Sequence, residues 1–108
     1  MVFLRALGGA MARVAPGATA FGHRDVEAMI VSAVFLPPGS SPEQVAAARD
    51  KWAPVAAQGC GAYAGFVSSD APADLAAIYP ADTLKRLVEV KRAWDPDNVF
   101  RRNFNVRP

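Results

Sequence analysis

Trp94-Asp95-Pro96-Asp97-Asn98-Val99-Phe100-Arg101-Arg102-Asn103-Phe104-Asn105-Val106-Arg107-Pro108 closes the chain. Pro96 has no N–H and cannot continue a helix, so the helix-like run Tyr79 to Ala93 must stop before it. That helix is expected to start near Asp82, whose carboxylate can cap the free amides of the first turn. Leu84, Leu87, Val88 and Trp94 make its buried stripe, and Lys91 and Arg92 suit its C-terminal dipole. Beyond the turn, Asn and apolar residues alternate. In an extended tail Asn103 and Asn105 point one way while Phe104 and Val106 point the other. Asn both donates and accepts, so the pair could bond the polar edge of a ligand or neighbouring backbone. The same pattern also suits a tail pinned by Phe104 and Val106 with solvated Asn side chains.

Working back from that ending, Ala62-Tyr63-Ala64-Gly65-Phe66-Val67 alternates aromatic and small residues and reads as a strand. If it is regular, Tyr63 and Phe66 lie on opposite faces. One then faces the helix layer, and the other needs cover from more protein or a flat ligand; ordinary core packing is the competing reading. Ser41-Pro42-Glu43-Gln44 starts a helix, with Ser41 as cap, Pro42 at the first helical position and Gln44 completing a capping box. Val45, Ala48, Trp52, Val55 and Ala56 give that helix one apolar stripe. Pro54 interrupts it, and Gly59 and Gly61 end it.

Met29 to Leu36 is β-branched and nearly continuous, the pattern of a strand buried on both faces. Val2 to Leu7 reads as a strand closed by Gly8-Gly9, and Thr19 to Arg24 as a further short strand. Leu75 to Tyr79 reads as one helical turn. The fold class that follows is α+β: a small, mostly antiparallel sheet covered on one face by two helices, with an extended C-terminal tail.

Composition bounds the function. The chain has 108 residues, 52% hydrophobic and only 20% charged, with 9 Pro and 8 Gly. It is at most one domain, globular rather than disordered, and its low charge content points to apolar surface meant for a partner. The formal net charge of +2 comes with acids interleaved among the bases, Asp82, Glu89, Asp95 and Asp97 among Lys85, Arg86, Lys91 and Arg92. That is a solvated helix face, not a nucleic-acid stripe. Cys60 is the only cysteine and His23 the only histidine. No internal disulfide or cysteine-based zinc site can form, and no metal site is expected. The N-terminal apolar stretch is too broken by Arg5 and Arg13 for a membrane span, and the apolar run before Gly8-Gly9-Ala10 is too short and lacks the charged start of a signal peptide. A cytoplasmic location is expected.

No self-contained catalytic constellation stands in the chain. Gly8-Gly9 lacks the spacing and the lysine of a phosphate loop. His23-Arg24-Asp25 lacks a nucleophile unless Cys60 serves, and a strand-end His beside a surface ion pair is the simpler reading.

Two segments carry a family resemblance. Tyr79-Pro80-Ala81-Asp82-Thr83-Leu84-Lys85-Arg86-Leu87 resembles the Tyr-Gly-x-Asn-x-x-x-Leu start of the last helix in the berberine bridge enzyme family, the FAD-linked oxidases. Asp95 to Pro108 is similar to that family's Asp-Pro-x-Asn-x-Phe-Arg-x-Asn-Gln-Asn-Ile-x-Pro ending. Leu7 to Ala10, Thr19 to Arg24 and Ala62 to Phe66 look like strands of its substrate domain. The resemblance covers nearly all of the chain but corresponds to only the last quarter of a family member. It implies that residues 1–108 are a single partial domain, with 78–108 as the berberine bridge enzyme-like ending.

Family members bind FAD, often covalently, through an N-terminal domain. They pass hydride from an alcohol, sugar or amine to flavin, and then electrons to oxygen. The His and Cys that attach the flavin lie in that other domain, so His23 and Cys60 do not take those roles. The strand that carries Tyr-x-Asn-Tyr in the family holds Tyr63, Gly65 and Phe66 here. Phe66 stands where sugar-oxidising members place a Tyr thought to help deprotonate the substrate. The resemblance thus places Tyr63, Phe66, Asn103 and Asn105 near substrate or flavin, and names no confident catalytic residue. It implies a fragment of a FAD-dependent oxidoreductase, inactive without a separate flavin-binding chain. The alternatives are a non-catalytic α+β module that forms homo-oligomers, or a truncated gene product, since Met1-Val2-Phe3 begins almost inside a strand.

Overall fold

Ser41 accepts a hydrogen bond from the Gln44 amide, and the Gln44 side chain accepts one from the Ser41 amide, so the capping box forms as the sequence predicts. In the computed structural model, which describes residues 1–108, this box opens helix α1, Pro42–Ala56. The helix runs only two residues past Pro54. Helix α2 spans Pro72–Ile78, a longer element than the single turn expected there. Helix α3 spans Ala81–Trp94 and ends at Asp95, one residue before Pro96. Its start differs from the expectation: Pro80 is the cap residue and no side chain caps the helix. Asp82 sits inside the first turn, where it meets the helix dipole but accepts no capping bond.

Strands β1, Val2–Ala6, and β2, Ala28–Ser32, form one antiparallel pair, with Leu4 opposite Ile30. The class is therefore α+β, with three helices where the sequence predicts two. Two expected strands are absent. Thr19 to Arg24 is irregular because the Arg24 side chain supplies its local bonds: to Phe21 O at 3.0 Å, Thr19 Oγ1 at 2.6 Å and Met11 O at 3.2 Å. Ala62 to Val67 is not a strand either, and Ala64–Phe66 forms a short 3-10 turn.

Burial falls well short of the stripes written in the sequence. Only Val31 and Ile78 are buried. Val31 is the inward residue of β2, whereas Ile30 on the opposite face is 49% exposed, so β2 is not covered on both faces. The apolar run continues past the strand, but Val34 and Phe35 stand out from the surface. On α1 only Ala48 and Trp52 are half-buried, while Val45 and Val55 are exposed. On α3 Leu84, Leu87 and Val88 are half-buried, but Trp94 is 85% exposed.

These exposures add up to a thin slab of 41 × 38 × 19 Å. The radius of gyration is 15.7 Å, against about 13 Å for a compact domain of this length. The accessible surface is 8192 Å², about 2,400 Å² more than the size scaling gives for a folded monomer of this mass.

Candidate functional site

The junction of α2 with the segment after α1 positions the aromatic residues. The Ala62 amide donates to Ala77 O at 2.9 Å, and His23 Nε2 lies 3.1 Å from both Ala77 O and Ile78 O. The carbonyls at the end of α2, which have no partner within the helix, are satisfied this way. Two carbonyl oxygens facing Nε2 require that nitrogen to carry the hydrogen. Ile78, buried at this junction, anchors it.

From Ala62 the chain enters the 3-10 turn. Residues three apart eclipse one another in such a turn, so Tyr63 and Phe66 come to the same side. Their ring centroids are 5.9 Å apart at 60°, which corrects the expectation of opposite faces. Gly65 makes this possible: a β-carbon there would stand 2.6 Å from Tyr63 Cε1. Phe21 meets Tyr63 edge-on at 6.1 Å, and Phe3 of β1 meets Phe66 edge-on at 5.8 Å. Both geometries are favourable for aromatic pairs. The result is a row from Phe21 through Tyr63 and Phe66 to Phe3, with Tyr63 and Phe66 each 47% exposed. Beside Tyr63 lies an apolar hollow of about 170 Å³, lined by Phe21, Tyr63, Ile78, Tyr79 and neighbouring alanines.

The tail is built differently from its sequence pattern. Asp95 accepts from the Val99 amide at 2.7 Å and the Phe100 amide at 3.0 Å, and it pairs with Lys91. Lys91 also donates to Phe100 O at 2.6 Å. Asn98 and Asn103 adopt left-handed backbone, φ 52° and 57°, which Asn tolerates better than most residues. Asn103 therefore turns the chain, and the 3.0 Å bond from the Asn105 amide to Asn103 O tightens the bend. The alternation of an extended strand is lost. Asn103 is exposed, whereas Asn105 is half-buried with an Oδ1 that has no partner. Neither Asn lines the hollow beside Tyr63. Trp94, Val99 and Phe100 project from the Lys91–Asp95 corner, Phe100 being 82% exposed.

Phe21 and Phe3 join the site although no sequence signal singled them out, and Tyr79, the head of the motif that leads into α3, joins it as well. Their partners come from chain segments far apart, and only the folded junction brings them together. His23 packs against Gly61, one residue from Cys60, yet no hydrogen bond joins His23 to the exposed Cys60 thiol. No three His, Cys, Asp or Glu side chains gather in one place.

Residues 62–107 match the family model described as Berberine and berberine like. The match supports the resemblance of these residues to the C-terminal, berberine bridge enzyme-like segment of the FAD-linked oxidases. No curated protein matches the chain.

The berberine bridge enzyme-like segment starts at Ala62, so it takes in Tyr63 and Phe66 as well as α3 and the tail. It points to part of an FAD-linked oxidoreductase. The residues present do not by themselves fit FAD. The aromatic hollow, about 170 Å³, is smaller than the roughly 300–1,000 Å³ of ordinary ligand pockets. Its lining is mainly apolar and has no charged side chain to hold a pyrophosphate. What the segment does offer is a half-exposed aromatic row and two unpartnered amide oxygens, on Asn98 and Asn105.

Proposed function

We propose that residues 1–108 form the C-terminal part of the substrate domain of an FAD-dependent oxidoreductase. The assembled enzyme transfers hydride from an alcohol, sugar or amine to flavin and passes the electrons to oxygen. The flavin site lies outside residues 1–108, and these residues alone are inactive. The observation that carries the reading is the berberine bridge enzyme-like segment at 62–107, folded so that Tyr63 and Phe66 present one aromatic surface. The poor fit of the hollow to FAD supports a flavin held elsewhere, with this aromatic row as part of the substrate or flavin wall. An exposed, unpaired Cys60 suits a reducing compartment, so we place the protein in the cytoplasm. No helix is long and apolar enough to cross a membrane.

The test is co-expression with a neighbouring reading frame that encodes a flavin-binding domain. A yellow complex that contains both chains and bleaches on adding substrate is the expected result. Two colourless proteins that do not associate would overturn the reading.

A further inference from the structure

We infer that the outer edge of β2 pairs, antiparallel, with β2 of a second copy of this chain. The register shows which backbone groups are free. Met1 and Ala33 exchange both backbone bonds at 2.9 Å, and the Leu7 amide donates to Glu27 O at 2.8 Å. Bonded pairs alternate along an antiparallel ladder, so Phe3–Val31 and Arg5–Met29 are bonded as well. The backbone groups of Ala28, Ile30 and Ser32 therefore point away from β1, and no other element bonds them.

The side chains of the same residues form an uncharged face. Val2, Leu4, Ala6, Ala28 and Ile30 share it with Ser32, and Val2 and Leu4 are each about two-thirds exposed. Natural edge strands are usually guarded by a charge, a proline or a bulge. β1 has Arg5 as such a guard. β2 has none, and the whole run from Ala28 to Leu36 carries no charge. A lone two-stranded ladder is marginal in water, which a four-stranded sheet relieves.

Two-fold pairing centred on Ile30 is self-complementary. Ile30 meets its own copy, and Ala28 meets Ser32 of the other chain, each pair exchanging two backbone bonds. Met29 then faces Val31, so no charge is buried on either side. The chain as a whole exposes about 2,400 Å² more than expected of a folded monomer, and the face of Val2, Leu4 and Ile30 beside the β2 edge is part of that exposed surface. The contact needs no flavin and does not rest on the enzymatic reading.

Light scattering on the separated full-length chain decides it. We expect twice the 11.4 kDa chain mass. Ile30→Pro removes an outward N–H but no β1–β2 bond, and should give monomer. Leu4→Lys charges the same face but leaves the β2 edge intact, and should stay dimeric. A monomeric wild type at about 100 µM, where any Kd below that concentration gives mostly dimer, overturns the pairing. So does a dimer that survives Ile30→Pro, or one lost equally in Leu4→Lys, which would mean stacked faces. Hydrogen exchange covers the case in which Ile30→Pro fails to fold. In the wild type the Ala28, Ile30 and Ser32 amides should gain protection as concentration rises, and unchanged exchange rejects the proposal.

Discussion

The His23 imidazole occupies the space that a side chain on Gly61 would need. A β-carbon on Gly61 would stand 2.2 Å from His23 Cε1 and 2.6 Å from Nε2. The ring cannot easily swing aside, because Nε2 is held by the carbonyls of Ala77 and Ile78. This one contact ties the segment after α1 to the C-terminus of α2 and so sets where Tyr63 begins.

Gly61→Ala should therefore overpack the junction and cost about 1–3 kcal/mol in urea unfolding. Truncating the ring makes room, so in a His23→Ala background the same change should cost less, by more than about 0.5 kcal/mol of coupling. Additive costs in the two backgrounds would show that the ring is not the obstacle.

Helix α1 depends on its cap more than a packed helix would, since only Ala48 and Trp52 are even half-buried along it. Ser41→Ala removes the acceptor for the Gln44 amide and should cost about 1 kcal/mol of helix stability. Far-UV circular dichroism should record it as lost helix near room temperature. A spectrum identical to wild type would mean that tertiary contacts hold α1 after all.

What the sequence carried and what it hid divide along physical lines. The capping box, the stop before Pro96 and the β1 and β2 cores rest on local chemistry, and the structure has them where the residues place them. The apolar stripes of α1 and of Met29 to Leu36 promise burial, but burial needs a second surface, and no element of the chain supplies one. Ala62 to Val67 alternates like a strand, yet Gly65 lets Tyr63 fold over its neighbour and a turn wins. The alternating tail was misleading for a similar reason, because Asn103 can adopt a left-handed backbone at little cost. The aromatic row was half legible: Tyr63 and Phe66 stand out in the sequence, but their partners Phe21 and Phe3 are met only through the His23 junction.

The corner after α3 should fail in acid. The Lys91 ammonium, hydrogen-bonded to Asp95, holds that carboxyl below the ordinary carboxylate value. Partial burial opposes this, and the Val99 and Phe100 amides add to the lowering. A depressed carboxyl stabilises fully above its unfolded value of about 3.9 and loses that stabilisation as pH falls through the folded value. Protection of the Val99 and Phe100 amides should thus be constant near neutrality and fall away below about pH 4. In Asp95→Asn it should be weak at every pH. Protection that persists in acid would show that the backbone turn, not the carboxylate, holds the corner.

Phe66→Tyr tests the aromatic row directly. The ring is half-exposed beside Tyr63, so an added hydroxyl has access to water and should change stability by less than about 0.5 kcal/mol. In a complex with a flavin-binding chain the new hydroxyl supplies a proton acceptor that Phe66 lacks. Positioned acid–base groups are worth about 10²–10⁴-fold. Substrate-dependent flavin bleaching should rise by at least about 100-fold, and should climb with pH toward the tyrosine range near about 10. Tyr63→Phe in the same complex should not give this gain. Equal bleaching rates for Phe66 and Tyr at this position, across the pH range, would place the row away from the reacting atoms.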